Sequence, residues 1–312
     1  MKALQINSYG GVEVLQINND VPKPSCGPNQ VLVEAIAASL NPFDWKVRNG
    51  YVKDFIKLQF PVTLGSDFSG VIVDIGENVS DFKIGDDVYG QAAVFGGGTG
   101  AFAKILAASV DKITSKPKDA DFLEAAALPL IGVSALQALE THMELKSKQK
   151  ILIHGGAGGI GHIAIQLAKS LDAYVATTVS FGDIEFAKEI GADEVIDYKA
   201  ENFDEKLSDF DAAFDTVGGE TTNKSFSVLK KGGILVSMTG APSEELAQKY
   251  GIQVIGQDTE GNRQRLDRLA SLVDNGKIKV HIDKVFLLEN GKEAFEHLEK
   301  NHPRGKVVLK IK

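Results

Sequence analysis

The chain has 312 residues, a length typical of two domains. Its 43% hydrophobic and 24% charged residues are typical of a folded globular protein. Its net charge of −8, without any run of Lys or Arg, argues against nucleic acid as a partner. No apolar run reaches the roughly 20 residues that cross a bilayer, and the N-terminus lacks the apolar core of a signal peptide. The single cysteine, Cys26, excludes an internal disulfide and a multi-cysteine metal site. We therefore expect a cytoplasmic protein that does not associate with membranes.

Residues 1–120 are predicted to form a β-rich lobe, because short candidate strands alternate with frequent turns. The strand candidates are Val31–Ile36, Val71–Ile75 and Asp87–Gly90. The segment Gly96–Gly100 is predicted to be a loop, since each glycine costs about 1 kcal/mol in a helix interior.

From residue 121 the pattern changes to a regular alternation of strands and helices, which predicts βαβ units and a parallel sheet. A helical stretch at Ala125–Leu128 is expected to resume after Pro129 over Gly132–Leu139. The following predicted elements are the strand Ile151–His154, the helix Gly161–Leu171, the strand Tyr174–Thr178, the helix Asp183–Glu189, the strands Glu194–Tyr198 and Ala212–Asp215, a helix from Glu220, and the strands Ile234–Ser237 and Ile252–Ile255. Residues 262–312 are expected to add two helices and a final strand, Val307–Ile311.

A glycine-rich segment follows the predicted strand Ile151–His154. Gly156, Gly158 and Gly161 have the G-x-G-x-x-G spacing, and an amphipathic helix comes after them. In this context the glycines permit a tight turn, a close approach to a pyrophosphate and close helix–strand packing, while the helix N-terminus at Gly159 and Ile160 attracts the phosphates. We predict a dinucleotide-binding site; the alternative is an ordinary glycine-rich turn.

The end of the second strand of this half informs the choice of cofactor. An NAD site usually has Asp or Glu there, about 20 residues beyond the glycines. The segment Val175–Phe181 has no carboxylate, which favours NADPH. NADH stays possible, because no Arg or Lys follows closely and Asp183 and Glu185 are nearby; these two acids are alternatively a solvated helix start.

No metal site is expected. A catalytic zinc needs about three protein ligands, and none of the six histidines has metal-ligand spacing to Cys or Glu. His154 and His162 flank the glycines and are predicted to be local hydrogen-bonding residues.

Four segments carry a family resemblance: Asn41–Lys46 with Arg48–Gly50, Leu64–Ile72, Gly155–Gly161, and Arg304–Val308. With them the chain resembles the medium-chain dehydrogenase/reductase superfamily nearly from end to end. It is most similar to the zinc-free quinone oxidoreductase and enone (alkenal) reductase branch. Zinc-bearing relatives keep Cys at the position of Asn41 and a His-Glu pair at the position of Ser66-Asp67.

The resemblance implies an α/β protein with two lobes. A GroES-like lobe would span residues 1–120 and be completed by about 265–312, and a Rossmann lobe with a doubly wound parallel sheet would span 121–264. The resemblance also implies a homodimer, which the apolar strands Ile234–Val236 and Gly251–Ile255 could form by pairing.

The resemblance further implies site residues. In similar proteins the lysine of Asn-Pro-x-Asp-x-Lys lies near nicotinamide and substrate, a role that Lys46 would inherit. The other positions that match cofactor contacts are Val133, Ser134, Ser180, Tyr198, Val217, Ser237, Gly305 and Lys306. One position departs from the family pattern, because Asp183 stands where relatives have a phosphate-binding Lys.

The implied reaction is hydride transfer from NADPH to a quinone or to the β-carbon of an enone. The developing charge on the carbonyl oxygen needs a cation or donor. Lys46 is the first candidate and the Asn41 amide the second, while Tyr51 could give a proton or orient the substrate. The alternatives are a surface lysine at 46 and a packing role for Tyr51. Two other functions also stay open: a zinc-free enzyme of the alcohol dehydrogenase type, and a nucleotide-binding protein without turnover.

Overall fold

The computed structural model describes residues 1–312. It contains sixteen strands: β1 (Ala3–Ile6), β2 (Leu15–Asn18), β3 (Gln30–Leu40), β4 (Val62–Thr63), β5 (Asp67–Ile75), β6 (Asp87–Gln91), β7 (Ile105–Ser109), β8 (Ile113–Ser115), β9 (Lys150–His154), β10 (Tyr174–Val179), β11 (Glu194–Asp197), β12 (Phe210–Asp215), β13 (Leu229–Ser237), β14 (Gln253–Gly256), β15 (Ile282–Leu287) and β16 (Lys306–Lys310).

Ten α-helices connect the strands: α1 (Pro42–Arg48), α2 (Phe122–Ala127), α3 (Pro129–Leu136), α4 (Gly159–Ser170), α5 (Ile184–Glu189), α6 (Phe203–Lys206), α7 (Glu220–Val228), α8 (Glu244–Tyr250), α9 (Arg263–Asp274) and α10 (Gly291–Lys300). A π-helical segment, Gln137–His142, continues α3. No helix is both long and apolar enough to cross a membrane. The cytoplasmic location stays a prediction.

The chain divides into two compact units. The first comprises Met1–Leu130, Gly261–Asn275 and Val280–Lys312, and the second comprises Ile131–Glu260 and Gly276–Lys279. We call them the β unit and the nucleotide unit.

The nucleotide unit is built on a six-stranded sheet in the order β11-β10-β9-β12-β13-β14. Every neighbouring pair is parallel, as the alternation of strands and helices predicted. The chain starts in the middle at β9, moves outward to β11 and returns to the other side at β12, which is the doubly wound order of dinucleotide-binding domains. The Rossmann prediction is therefore confirmed.

The β unit contains a three-stranded sheet, β2-β1-β4, and a seven-stranded sheet with the path β15-β16-β3-β5-β6-β8 and β7 paired to β3. All pairs are antiparallel except β15 with β16. The predicted antiparallel, GroES-like lobe is confirmed. Its last strand, β16, pairs with β3, so the C-terminal residues complete this unit.

Helix α1 carries the predicted residue Lys46, and a buried arginine fixes the end of this helix. Arg48 is 1% exposed, and its guanidinium donates to both carboxylate oxygens of Glu299 on α10, at 2.8 and 3.2 Å. It also donates to the Gly10 carbonyl and lies 5.2 Å from the Phe295 ring centroid. A bidentate pair of this kind constrains direction as well as distance, so α1 has a defined orientation in the β unit.

The structure differs from the sequence predictions at several elements. Strands β1, β2, β4, β7, β8 and β15 and the short helices α6 and α8 were not predicted. The C-terminal region thus contains two strands, where one was expected. Strand β13, with the predicted dimer segment Ile234–Val236, has neighbours on both sides, so that part of the pairing prediction is wrong. Pro129 begins α3, as proline at a first helical position does, and the resumed helix therefore starts earlier than Gly132.

Candidate functional site

The glycine segment forms a bend that excludes side chains at two points. The bend turns at Gly155, whose φ is +73°, and Gly158 N donates to Gly155 O at 3.0 Å. A Cβ on Gly156 would lie 2.1 Å from Thr177 Oγ1, and one on Gly161 would lie 2.1 Å from Gly155 O. Real Cβ atoms do not approach other atoms so closely, so these two positions require glycine.

Helix α4 begins at this bend with free amide groups. Its first i→i−4 bond runs from His162 N to Gly158 O at 3.1 Å, so the amides of Gly159, Ile160 and Gly161 precede the helical ladder. Such amides, together with the positive end of the helix dipole, form a site for a phosphate anion. The bend and the start of α4 therefore fit the pyrophosphate of a dinucleotide.

The carboxyl ends of the parallel strands meet in one row beside the bend. The register places Thr178, His154, Asp215, Ser237 and Gly256 side by side on five neighbouring strands. Ligands of doubly wound sheets bind at this end, where the strand order reverses. The row contains the predicted cofactor residue Ser237, and two others, Ser180 and Val217, follow the strands β10 and β12 of the row.

His154 fixes the start of the bend as a neutral hydrogen-bonding group. Its ring is fully buried, with Nδ1 3.0 Å from Thr178 Oγ1 and Nε2 2.9 Å from Ser225 Oγ. Burial lowers the pKa of His154 from 6.5 to about 4, although the carboxylate of Asp215 opposes this shift. The predicted local hydrogen-bonding role of His154 agrees with these contacts.

Asp215 holds the turn that contains the predicted residue Val217. Its carboxylate accepts from Val217 N at 2.8 Å, from Gly218 N at 3.0 Å and from the Thr222 hydroxyl. The Val217 side chain is 54% exposed beside the strand-end row. Asp215 was not predicted as a site residue. Its position at the end of the predicted strand Ala212–Asp215 is the sequence signal that could have identified it.

Gln257 joins two of the predicted cofactor contacts. Its backbone N donates to Ser237 O at 2.8 Å, and its Nε2 donates to Ser134 O at 3.0 Å. Ser134, Ser237 and Val133 are buried, and Gln257 Oε1 is a buried acceptor without a hydrogen-bond partner in the protein. A buried acceptor of this kind suits a ligand that brings a donor. The sequence offered no motif that pointed to Gln257.

The residues predicted around the adenosine phosphate come from two neighbouring strand ends. Ser180 follows β10, and Tyr198 follows β11 and donates through its N to Val179 O at 3.2 Å. Ser180 Oγ donates to Asp183 Oδ2 at 2.7 Å. Lys199, with its Nζ 5.8 Å from the Tyr198 ring centroid, brings a cation to this region. Lys199 was not predicted, because it lies beyond β11 and not directly after β10, where the residue that contacts the ribose was expected.

In the β unit, the loop before α1 meets a buried polar cluster. Lys306 Nζ donates to Leu40 O at 2.7 Å and to Asn41 Oδ1, and Asn41 Nδ2 donates to Asp67 Oδ2 at 2.9 Å. Asn41 N donates to the Asp44 carboxylate at 2.7 Å. All four polar side chains are at most 6% exposed. The Asn41 amide is therefore held on both sides, and Lys306 points into this cluster.

The cluster titrates far from ordinary values. Burial raises the pKa of Asp44 to about 7 and raises that of Asp67, while it lowers the pKa of Lys306 to about 8. These residues do not fit a zinc ion, because the Lys306 ammonium occupies the amide oxygen of Asn41 and would repel a second cation. No group of three or more His, Cys, Asp or Glu side chains in the structure could hold a metal.

Lys46, on α1, and Tyr51, three residues after the last residue of α1, are both exposed. Tyr51 N donates to Lys46 O at 3.0 Å, and the Tyr51 ring packs edge-on against Trp45, with the centroids 5.8 Å apart. Lys46 Nζ is 6.0 Å from the Trp45 ring centroid. Both side chains lie near the Trp45 ring and are open to solvent, whereas Asn41 is buried.

Gly305 has a conformational requirement of its own. Its φ is +69°, and a Cβ there would lie 2.2 Å from His281 O. Lys306 is the next residue, so the backbone conformation of Gly305 determines the direction from which the Lys306 side chain enters the buried cluster.

Comparisons with known proteins match this geometry. Residues 27–118 match the alcohol dehydrogenase GroES-like domain, and residues 190–309 match the family described as zinc-binding dehydrogenase. The 2-methylene-furan-3-one reductase of Solanum lycopersicum is 38% identical over 318 residues, covering 99% of this chain and 79% of that protein. The chain belongs to the medium-chain dehydrogenase/reductase superfamily.

Two further relatives define the branch. The chloroplastic NADPH-dependent alkenal/one oxidoreductase of Arabidopsis thaliana is 35% identical over 99% of this chain and 79% of its own length. The quinone oxidoreductase structure from Coxiella burnetii superposes with a TM-score of 0.92 at 38% identity, covering 100% and 99% of the two chains. This member of the superfamily is an NAD(P)H-dependent oxidoreductase of the zinc-free quinone and enone reductase branch, with a small-molecule substrate.

Gly158 allows a test of the bend without breaking its packing. Its φ of −76° and ψ of 178° suit any residue, and a Cβ would lie 3.3 Å from Gly155 O. We expect Gly158→Val to weaken NADPH binding at least about tenfold, or about 1.4 kcal/mol, because the side chain occupies space that the pyrophosphate approaches. Calorimetric titration measures this loss.

The matched control is Gly96→Ala in the β unit, where the nearest atom to a new Cβ is 4.0 Å away. Both variants should keep the melting temperature of the cofactor-free protein within a few degrees. Equal NADPH affinities for wild type and Gly158→Val would mean that the pyrophosphate does not bind at this bend.

The buried His154 predicts a loss of stability in acid. A histidine with a lowered pKa in the folded state contributes stability that is fully present above pH 6.5 and is lost as the pH falls towards 4. This residue accounts for up to about 3 kcal/mol over that window. Urea unfolding of His154→Gln, compared with wild type at pH 7 and pH 4.5, should show a smaller loss in the variant. An identical pH dependence would contradict the neutral, buried imidazole.

Proposed function

We propose that the protein is an NADPH-dependent reductase of α,β-unsaturated carbonyls or quinones that works without a metal. The observation that carries the proposal is the glycine bend at the strand-order reversal, where Gly156 and Gly161 leave no room for side chains and the first amides of α4 lie free of the helical ladder. A bound reduced nicotinamide supplies a hydride to an electron-poor carbon of the substrate. The names of the three relatives support the same substrate classes.

Preference for NADPH rests on the end of β10. Thr178, Val179 and Ser180 offer no carboxylate to repel a ribose phosphate, and the exposed Tyr198 with the neighbouring Lys199 offers a phenol and a cation. The carboxylate of Asp183 accepts from Ser180 Oγ and keeps its negative charge, which the Lys199 ammonium has to offset if a ribose phosphate is to bind here. NADH is expected to be the weaker cofactor.

In the β unit, Lys46 is proposed to stabilise the oxyanion that develops at the substrate carbonyl. An ammonium that is already placed costs no reorganisation when the charge forms. Tyr51 is proposed to orient the substrate or to donate a proton, because it lies three residues after the end of α1 and contacts Trp45, whose ring is also near Lys46. The Asn41 amide, expected from the sequence as the second group to stabilise the oxyanion, is buried and held by Lys306 and Asp67, so Asn41 is proposed to fix the direction of α1.

The assay that tests the function follows NADPH or NADH oxidation with a panel of quinones and enones. We expect turnover with NADPH, and we expect Lys46→Ala to lower kcat/KM for enones at least about tenfold, equivalent to about 1.4 kcal/mol of barrier, because the carbonyl loses its cation. Lys53→Ala, an exposed lysine beyond the same turn, is the control and should retain the wild-type value.

Three outcomes would contradict these proposals. NADPH binding without oxidation by any member of the panel would favour a nucleotide-binding protein. Oxidation of simple alcohols in place of enone reduction would favour an enzyme of the alcohol dehydrogenase type. Unchanged kcat/KM in folded Lys46→Ala would remove the lysine from the mechanism.

A homodimer is proposed through the free edge of the six-stranded sheet. Strand β14 pairs only with β13, and its side chains Val254 and Ile255 are half-buried apolar residues next to open backbone groups. Sedimentation equilibrium should give the mass of two chains, and Ile255→Lys should shift the mass towards one chain by placing a charge at the pairing edge. A wild-type mass of one chain at all concentrations would contradict this assembly.

A further inference from the structure

The β unit contains a cavity of about 490 Å³ that lies outside the polar cluster described above. Its volume falls within the roughly 300–1,000 Å³ of small-molecule pockets. The walls are mainly apolar, and the charged groups among the lining residues are the exposed Lys57 ammonium and the N-terminal amino group of Met1. The principal apolar lining residues are Val21, Ile56, Leu58, Val62, Val94 and Phe95.

The polar groups of the lining are largely paired with the protein itself. Gln5 Nε2 donates to Thr63 Oγ1 at 3.2 Å, and the Met1 amino group donates to Val21 O at 2.6 Å. Thr99 Oγ1 accepts a backbone N–H at 2.8 Å. Because these groups need no partner from a ligand and no carboxylate lines the cavity, an apolar occupant suits it best.

An aromatic pair connects the cavity to the helix of Lys46. The Phe95 ring, which lines the cavity, packs edge-on against Phe43, with the centroids 5.7 Å apart. Phe43 lies on α1 three residues before Lys46, and residues at this spacing occupy the same helix face. Both rings are exposed, at 38% for Phe43 and 51% for Phe95. An apolar surface therefore extends from the neighbourhood of Lys46 into the cavity.

We propose that this cavity binds an unbranched alkyl chain attached to the carbonyl carbon of the substrate. The proposal rests on the proposed function, in which Lys46 holds the carbonyl oxygen. A chain on the carbonyl carbon would then pass Phe43 and Phe95 and enter the cavity. The preferred substrates are accordingly alkyl vinyl ketones with chains of several carbons, and the smallest enones leave the cavity unused.

The experiment measures kcat/KM with NADPH for a series of 1-alken-3-ones, from butenone to 1-decen-3-one. Each methylene that the cavity buries should raise kcat/KM by up to about fourfold, until the cavity is full. Reduction of butenone tests the proposed function alone, since this substrate has no chain to bury. The slope of the series tests the cavity.

Two variants alter the cavity in different ways. Val94→Trp fills it, and Leu58→Asn makes one wall polar without added bulk; both residues are only partly buried. Each should flatten the series for longer chains and leave kcat/KM for butenone unchanged. The matched control is Val285→Trp on β15 of the same unit, at a position 41% exposed and outside the cavity lining, which should keep the wild-type slope.

The outcomes separate the two proposals. A rising wild-type series that is flattened in the cavity variants supports the assignment of the chain site. A flat wild-type series, or a slope unchanged in both folded variants, overturns that assignment while reduction of butenone upholds the proposed function. Failure to reduce any enone or quinone overturns the proposed function and the chain site with it.

Discussion

Backbone packing at the bend between β9 and α4 determines where α4 starts, and the candidate cofactor site of the nucleotide unit depends on that position. The carbonyl of Gly155 lies so close to Gly161, and Thr177 so close to Gly156, that neither glycine can carry a Cβ. This contact starts α4 at the carboxyl end of the central strand, where the strand order reverses. The amides that precede the helical ladder then lie beside the row of strand ends that holds His154, and one edge of the sheet acquires both an anion site and hydrogen-bonding groups.

In the β unit, buried polar contacts fix a short helix, α1, which carries the exposed Lys46. Helix α1 is fixed at its start by Asn41 and at its end by Arg48, two buried polar residues with directional partners. The Lys306 ammonium balances part of the buried charge of Asp67 and Asp44. The Lys306 ammonium thus occupies the Asn41 amide oxygen, an atom that a metal ion in this cluster would need as a ligand. Buried contacts therefore anchor α1 at both ends, while Lys46 and the neighbouring Phe43 and Phe95 are exposed.

Much of the fold was predictable because local signals agreed with the tertiary structure. The parallel sheet was predicted from the glycine spacing, the apolar strand before it and the alternation of strands and helices after it. All three signals are local, so this prediction needed no information on long-range contacts. The edge strand β15 was missed, since its exposed Lys284, Val285 and Leu287 lack the alternation of a half-buried strand. The direction of Lys306 and the position of Gln257 depend on pairings between segments more than 100 residues apart, which no local pattern contains. The roles of the individual site residues stay predictions.

A reduced nicotinamide dinucleotide is predicted to bind at the glycine bend of a chain that needs no metal. Calorimetric titration of the chelator-treated, metal-free protein with NADPH tests it most directly. Saturable heat at one NADPH per chain, with weaker binding of NADH, is the predicted result. The absence of saturable heat from both coenzymes, or its appearance only after stoichiometric zinc is restored, would contradict this account.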